Sequence, residues 1–366
     1  MPIRNPETHY LQQAATYKPP NLREGRTEWK SPSNIAIVKY WGKHGKQLPQ
    51  NPSISLTLSE AYTRTAVSYR VKKTRGLHVD FLFDDRPYPL FAEKIYSFLN
   101  QILPFFPFLD WLDLAISSSN SFPHSSGIAS SASSMSALVL GLLDIEQQLY
   151  GVSKADPAWL QRASFFSRLA SGSASRSLFP YAALWGHTPY HDSSSNYFAV
   201  GLENRLHPVF KTLRDSILII SSETKIVSSR AGHSLMEKNP YAMIRYQTAS
   251  ETIKELLGVL HTGDIEHFID ITESEALQLH ALMMSSKPSF ILMEPNTLQL
   301  IKLVRQFRAQ SGIPICFTLD AGPNLHLLYP ELYQDKVKQF IDNQLKEFCQ
   351  AGAWIDDYVG EGPVKL

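Results

Sequence analysis

The segment Ser117-Ser-Ser-Asn-Ser-Phe-Pro-His-Ser-Ser-Gly-Ile-Ala-Ser-Ser-Ala-Ser133 concentrates small and hydroxyl-bearing residues between two apolar stretches. Small residues let backbone N–H groups approach an anion closely, and a helix beginning at the segment's end adds the positive end of its dipole. The Ser130 and Ser131 hydroxyls can donate to phosphate oxygens or bind magnesium. The same residues also suit a serine-rich capped turn, because Ser is a favoured N-cap. There is no Gly-Lys-Ser/Thr of a Walker A loop and no dinucleotide fingerprint. The chemistry in view is phosphate binding, and from this segment alone the capped turn stands equally beside it.

A loop of this kind needs a strand before it and a helix after it. Leu112–Ser117 reads as the strand, and Ser131–Gln148, apolar on nearly every side, as a buried helix. Upstream, Ile35–Tyr40 is an apolar, β-branched run, while Ile54–Leu58, Thr63–Tyr69 and His78–Phe83 alternate at period two, together predicting a β-meander. Helical spacing marks Phe91–Leu103, Pro157–Ala170, Pro240–Leu260, Ile265–Leu282, Thr297–Ser311 and Glu331–Ala351. Ser216–Ser221 reads as a strand, and Cys316–Asp320 with His326–Tyr329 as a strand–turn–strand unit. Strands followed by runs of helices predict an α+β protein. Residues 1–29 are polar and read as an extended arm, and the composition shift at Glu203–Asp215 divides the remainder into 30–208 and 209–366.

Composition narrows the function classes. A chain of 366 residues with 43% hydrophobic and 19% charged residues can bury a large core or two. The net charge of +1 supplies no global field for nucleic acid or an anionic membrane, so cations for a phosphorylated ligand must be placed locally. Cys316 and Cys349 give neither a disulfide framework nor a zinc spacing and read as small buried hydrophobes. Met1–Pro20 lacks the apolar core of a signal peptide, and Ala137–Leu143 falls far short of the roughly 20 residues of a membrane span. A soluble, cytoplasmic protein is expected.

The spacing Pro-x-x-x-Gly-hydrophobic-Ala-Ser-Ser-Ala resembles the phosphate loop of the GHMP kinase superfamily, and Ala129, in place of that loop's second Gly, resembles its diphosphomevalonate decarboxylase branch. Ser33-Asn-Ile-Ala-Ile-Val-Lys-Tyr-Trp-Gly-Lys43 is similar to that branch's N-terminal signature. Ser171-Gly-Ser-Ala-Ser-Arg-Ser177 is similar to its arginine motif, Lys225-Ile-Val-Ser-Ser-Arg-Ala-Gly232 to its diphosphate-contact loop, and Thr318-Leu-Asp-Ala-Gly-Pro-Asn324 to its catalytic aspartate loop. Five ordered matches run from Ser33 to the Gly360-Glu-Gly-Pro363 tail.

The resemblance implies a ribosomal-protein-S5-like ATP-binding domain over 30–208, a ferredoxin-like substrate domain over 209–366, a cleft between them, and a homodimer. It implies ATP-dependent decarboxylation of mevalonate 5-diphosphate, with ATP and Mg2+. Asp320 becomes the base or orienter for the substrate's tertiary alcohol; by itself Asp-Ala-Gly-Pro-Asn is also a good turn sequence. Lys39, on an apolar strand, becomes its cationic partner, and Arg176 a bidentate grip on carboxylate or phosphate. Tyr40, Lys43, Ser171, Ser173, Ser229, Arg230 and Ala321 become substrate contacts. Ser118, Asn120, Pro123, Gly127, Ile128, Ala129, Ser130 and Ser131 line the nucleotide, Ser130 orienting the γ-phosphate; no residue set marks a dedicated protein metal cage.

The chain departs from the branch at Asn51-Pro-Ser-Ile-Ser55, at His124-Ser-Ser, and at Asp357-Tyr-Val-Gly, where a usual Thr-Arg pair is replaced and one cation is lost. The arm before Ser31 is also longer. These leave the substrate's phosphate count open, and with it a relative acting on mevalonate 5-phosphate. A 3-kinase that stops at phosphorylation is expected to have changed at Asp320 or Arg176, and the joint presence of Asp320, Lys39, Arg176 and Ser130 argues against a catalytically dead binding module of the same fold.

Overall fold

The computed structural model describes residues 6–21, 24–123, 128–152, 158–222 and 229–366, the side chains of Ser229 and Arg230 excepted. The chain opens with α1 (Pro6–Ala14), then β1 (Glu24–Val38), a small hairpin of β2 (Lys43–His44) and β3 (Leu48–Pro49), β4 (Ser53–Val71), β5 (His78–Phe83) and β6 (Arg86–Pro87). It continues through α2 (Pro89–Ile102), β7 (Leu112–Asn120), α3 (Ser130–Tyr150), α4 (Ala158–Ala170), β8 (Ala182–Trp185) and β9 (Ala199–Gly201). After α5 (Pro208–Lys211) come β10 (Leu213–Leu218), α6 (Ser229–Ser234), α7 (Ala242–Thr262), α8 (Ile265–Met284) and α9 (Pro295–Ser311). The chain ends with β11 (Cys316–Thr318), β12 (Leu325–Pro330), α10 (Gln334–Phe340), β13 (Trp354–Tyr358) and β14 (Val364–Lys365).

The first sheet runs β14-β1-β4-β7-β5-β6, with β8 and β9 continuing from the first half of β4; the second is antiparallel, β11-β12-β10-β13. The meander expectation fails at β5, which pairs in parallel with β7 rather than beside β4. Parallel pairing needs a crossover, and α2 supplies it. Alternation reveals a strand's faces but not its neighbours, so period two could not reveal this order.

The two alternating segments predicted within 54–69 form one 19-residue strand, β4. Its register with β1 jumps between the pairs Pro32↔Tyr62 and Asn34↔Thr57. Around that bulge the Asp357 carboxylate accepts the N–H groups of Ser59, Glu60 and Ala61 at 2.9, 2.8 and 2.7 Å. Sequence reading registered Asp357 only as a lost cation. It is a fully buried link from β13 to β4.

The extended-arm expectation is also corrected. Tyr10 of α1 is 1% exposed and packs on Phe165 and Phe166 of α4. Residues from Glu24 onward pair with Arg70 and its neighbours on β4. One aromatic anchor in a polar stretch is too weak a periodic signal to mark a helix. The expected helix 331–351 is broken: α10 passes into a π-helical turn at Ile341–Leu345, then single 3₁₀ turns. The buried spacing Val337, Phe340, Ile341, Leu345 fits both geometries and hides the change. The last strand, β14, returns to pair with β1.

One core lies between the first sheet and α3, α4 and α2; another lies between α9, α10 and the second sheet. A third joins Ile35, Ile37, Ile54 and Leu56 to Phe210, Leu213, Ile253 and Phe268, so the two halves share buried apolar surface. The central helix α3 is buried without interruption from Ala132 to Glu146. Both cysteines are buried, and burial pushes the Cys349 thiol up to about 11. Among the described residues no helix is long and apolar enough to cross a membrane.

Candidate active site

Strand β1 ends at Val38, and the next residue, Lys39, is 2% exposed. Its backbone is held on both sides. The Lys39 N–H donates to Glu275 Oε2 at 2.9 Å, and its carbonyl accepts from Asn51 Nδ2 at 3.0 Å and Arg245 Nη2 at 3.1 Å. Arg245 and Glu275, buried on α7 and α8, pair with each other at 2.8 Å. With the backbone fixed, Lys39 Nζ reaches Asp320 Oδ1 at 3.2 Å, in the loop between β11 and β12. Burial pushes the Lys39 ammonium below its usual range, while the nearby carboxylates of Asp320 and Glu275 resist that shift. The Asp320 carbonyl accepts from His280 Nε2 at 3.2 Å and from the Gly322 N–H at 2.8 Å, which sets the loop's path.

Arg176 follows the 3₁₀ turn Gly172–Ser175 and is also 2% exposed. It donates through Nη1 to Ser53 Oγ and through Nε to Asn34 Oδ1 at 3.4 Å, and its guanidinium lies 5.2 Å from the Tyr40 ring centre. Asn34 ties the same turn down by donating to the Ser173 carbonyl at 3.1 Å and to Ser177 Oγ at 2.8 Å. Nη2 of Arg176 makes no hydrogen bond among the described residues, leaving a charged donor for a ligand.

One cleft is lined by Lys39, Tyr40, Lys43, Ser171, Ser173, Arg176, Asp320 and Ala321, together with Ala129 and Ser131 from the phosphate loop. Residues far apart in sequence and from both halves of the chain meet there. Ser131 Oγ lies 3.3 Å from Ser171 Oγ, joining the start of α3 to the arginine turn. Ala129 holds φ 46° immediately before α3, a left-handed conformation that costs an L-residue about 1–2 kcal/mol. Ser130 is the first residue of α3, partly exposed.

Of the other expected nucleotide contacts, Ser118, Asn120, Pro123 and Ile128 are not among the residues that line this cleft. Ser118 is buried, its hydroxyl 2.9 Å from Thr65 Oγ1, and Asn120 Oδ1 accepts from Thr63 at 2.8 Å. Ile128 is in the core with its carbonyl accepting from Ser33 at 2.6 Å, whereas Pro123 is exposed. Gly127, and the side chains of Ser229 and Arg230, lie outside the described residues, as do residues 225–228 of the Lys225–Gly232 loop.

The cleft contains residues that sequence reading missed: Asn34, Ala36, Trp41, His233 and Leu279 line it, and Arg245, Glu275 and His280 support it. Some left a trace. Glu275 interrupts the stripe Ile271, Leu279, Leu282 on α8, and Arg245 the stripe Ala242, Ala249, Ile253 on α7. A charge within an apolar stripe must be paired to be buried. Asn34 is a strand-averse residue inside a strand. His233 left no such trace.

Residues 31–196 match the family model of the diphosphomevalonate decarboxylase-like N-terminal domain, and residues 216–362 that of the mevalonate 5-diphosphate decarboxylase C-terminal domain. The diphosphomevalonate decarboxylase of Candida albicans is 29% identical over 349 residues, spanning 91% of each chain. The crystal structure of the Staphylococcus aureus mevalonate diphosphate decarboxylase superposes with a TM-score of 0.78 at 27% identity, covering 94% of this chain and 98% of that one. MDDEF in complex with MVAPP, AMPPCP and magnesium gives 0.77 at 28% identity, covering 94% and 99%. The α+β arrangement is the GHMP fold of these neighbours. With both halves matched to one enzyme and the full-length fold shared, the chain belongs to the diphosphomevalonate decarboxylase family.

Proposed function

We propose that this chain catalyses the ATP-dependent decarboxylation of mevalonate 5-diphosphate to isopentenyl diphosphate, releasing ADP, phosphate and CO2, as a step of isoprenoid biosynthesis. The observation that carries the reading is the buried Lys39 ammonium 3.2 Å from the Asp320 carboxylate, in one cleft with Arg176. A tertiary hydroxide leaves poorly, so the alcohol must first be converted to a phosphate ester. Asp320 takes the alcohol proton or holds the hydroxyl in line as its oxygen attacks the γ-phosphorus and ADP leaves. The C3–O bond then breaks, phosphate departing with the electron pair. Electrons of the C–CO2 bond move in to form the alkene. Such transfer depends on positioning and electrostatics more than on covalent chemistry.

Lys39 pairs with Asp320 and offsets developing negative charge, while Arg176 grips an anionic group of the substrate through its open Nη2. Tyr40, Lys43, Ser171, Ser173, Ser229, Arg230 and Ala321 are assigned to the substrate. Ser118, Asn120, Pro123, Gly127, Ile128, Ala129, Ser130 and Ser131 are assigned to the nucleotide side, Ser130 orienting the γ-phosphate. Magnesium enters on the nucleotide as MgATP. Residues 30–208 and 209–366 are taken as the ATP-binding and substrate domains, of a homodimer in the cytoplasm.

The test is coupled product analysis. Purified protein with MgATP is given mevalonate, its 5-phosphate or its 5-diphosphate, and ADP and CO2 are followed together. Stoichiometric ADP and CO2 from the diphosphate are expected. ADP without CO2 would make the chain a kinase, CO2 from the monophosphate alone would reassign the cradle, and no turnover on any of the three would leave a binding module.

A further inference from the structure

His233 lies on α6, one turn beyond position 229, and is 6% exposed. Its ring is stacked between two aromatic neighbours, with centroids 4.9 Å from Tyr40 and 4.4 Å from Trp41. Nδ1 accepts the Gly42 N–H at 3.0 Å. An imidazole whose Nδ1 accepts carries its proton on Nε2 when neutral. Burial, with the nearby Lys43 ammonium, holds this ring well below the usual histidine range and hence neutral. Ring plane, tautomer and charge are therefore all fixed.

Nε2 is the part left over. It has no hydrogen-bond partner among the described residues, yet it is not among the buried orphaned atoms, and the ring lines the cleft. A donor held this rigidly and left open to a cleft is shaped for something that arrives. Its position within the cleft follows from its charged surroundings. Lys43 Nζ lies 5.9 Å from the centre of the Tyr40 ring on which His233 stacks, and both residues line the cleft. His233 thus belongs with Lys43 around the Tyr40 ring.

We propose that His233 is a specificity-determining residue for the diphosphate group, its Nε2–H donating to an oxygen of the terminal phosphate beside the Lys43 ammonium. This rests on the decarboxylase reading and deepens it. A neutral N–H has a direction that an ammonium on a flexible stem lacks. Together they recognise a second phosphate by geometry as well as charge, and a substrate with one phosphate would leave the donor unpaired.

The two ring nitrogens can be tested separately. His233→Asn keeps an acceptor near Nδ1 and removes the Nε2 donor; His233→Gln does the reverse. For His233→Asn, KM for mevalonate 5-diphosphate should rise roughly tenfold, the scale of one hydrogen bond to a charged group. kcat and the KM for ATP should stay within about twofold, and kcat/KM for mevalonate 5-phosphate should not change. His233→Gln should recover most of the diphosphate KM. Calorimetric binding of the diphosphate without ATP gives the same comparison independently of turnover. An unchanged diphosphate KM in His233→Asn overturns the proposal; so do equal losses on both substrates, or rescue by Asn rather than Gln. Wild-type protein without CO2 release would instead overturn the decarboxylase reading.

Discussion

At the scale of single residues, the site's central asymmetry is exposure: the Lys39 side chain is 2% exposed and Asp320 is 27% exposed. The cation is built into the protein while the carboxylate faces the cleft, as a group that handles a substrate proton must. Asp320→Asn is isosteric but cannot take a proton, so turnover should fall by about 10²–10⁴. Nucleotide affinity should stay within about twofold, since the phosphate loop does not depend on Asp320. Single-turnover ADP formation and a fluorescent-nucleotide titration measure the two quantities, and wild-type turnover would remove Asp320 from the chemistry. Asp320, Lys39 and Arg176 were legible because each sits in a short, ordered motif. His233 was not, because its significance rests on Tyr40, Trp41 and Gly42, about 190 positions away, which no local pattern relates to it.

At the scale of elements, helices α7 and α8 position the end of β1. Arg245 and Glu275 spend their charges on each other and on the backbone of Lys39, so two helices and a strand end are joined at one buried point. Breaking a buried pair from one side costs about 3–5 kcal/mol, because the other charge is left unpaired. Glu275→Gln should therefore destabilise by that order in urea unfolding, and Arg245→Met similarly. The double variant should cost clearly less than their sum, with a coupling of at least about 1 kcal/mol. Strict additivity would mean the pair is not a unit. Helices α2, α3, α4, α7, α8 and α9 were read from spacing to within a few residues, because an amphipathic stripe is a local property, whereas the break after α10 was not. The parallel β5–β7 pairing was not, since strand order is decided by what packs after the crossover. Nor was α1, whose docking depends on a pocket made by Phe165 and Phe166.

At the scale of the whole molecule, the cleft exists because two halves are held together across a shared core and at buried polar points, of which the Lys39 backbone is one and Asp357 another. Asp357 on β13 accepts three backbone N–H groups from the bulge of β4, with the buried pair of Asp215 and His326 nearby at 2.7 Å. Burial pushes the Asp357 carboxyl up to about 6; the N–H donors, Glu60 first, oppose this, and Asp215 adds to it. The unfolded carboxyl titrates near 3.8, so between about pH 4 and 6 the folded state binds more protons than the unfolded state. This raised group contributes stability fully present below about 3.8 and lost as pH rises through about 6. Asp357→Asn does not titrate and leaves the Ala61 N–H facing an amide that cannot accept both neighbours' bonds. It should be less stable than wild type at every pH, by about 1–3 kcal/mol at neutrality for the spoiled buried bonds. The gap should widen by about 1 kcal/mol when unfolding is measured at pH 5 rather than pH 7.5, since only wild type gains from protonation. A gap that narrows on acidification would show that the three N–H groups, and not burial, set this carboxyl's affinity for its proton.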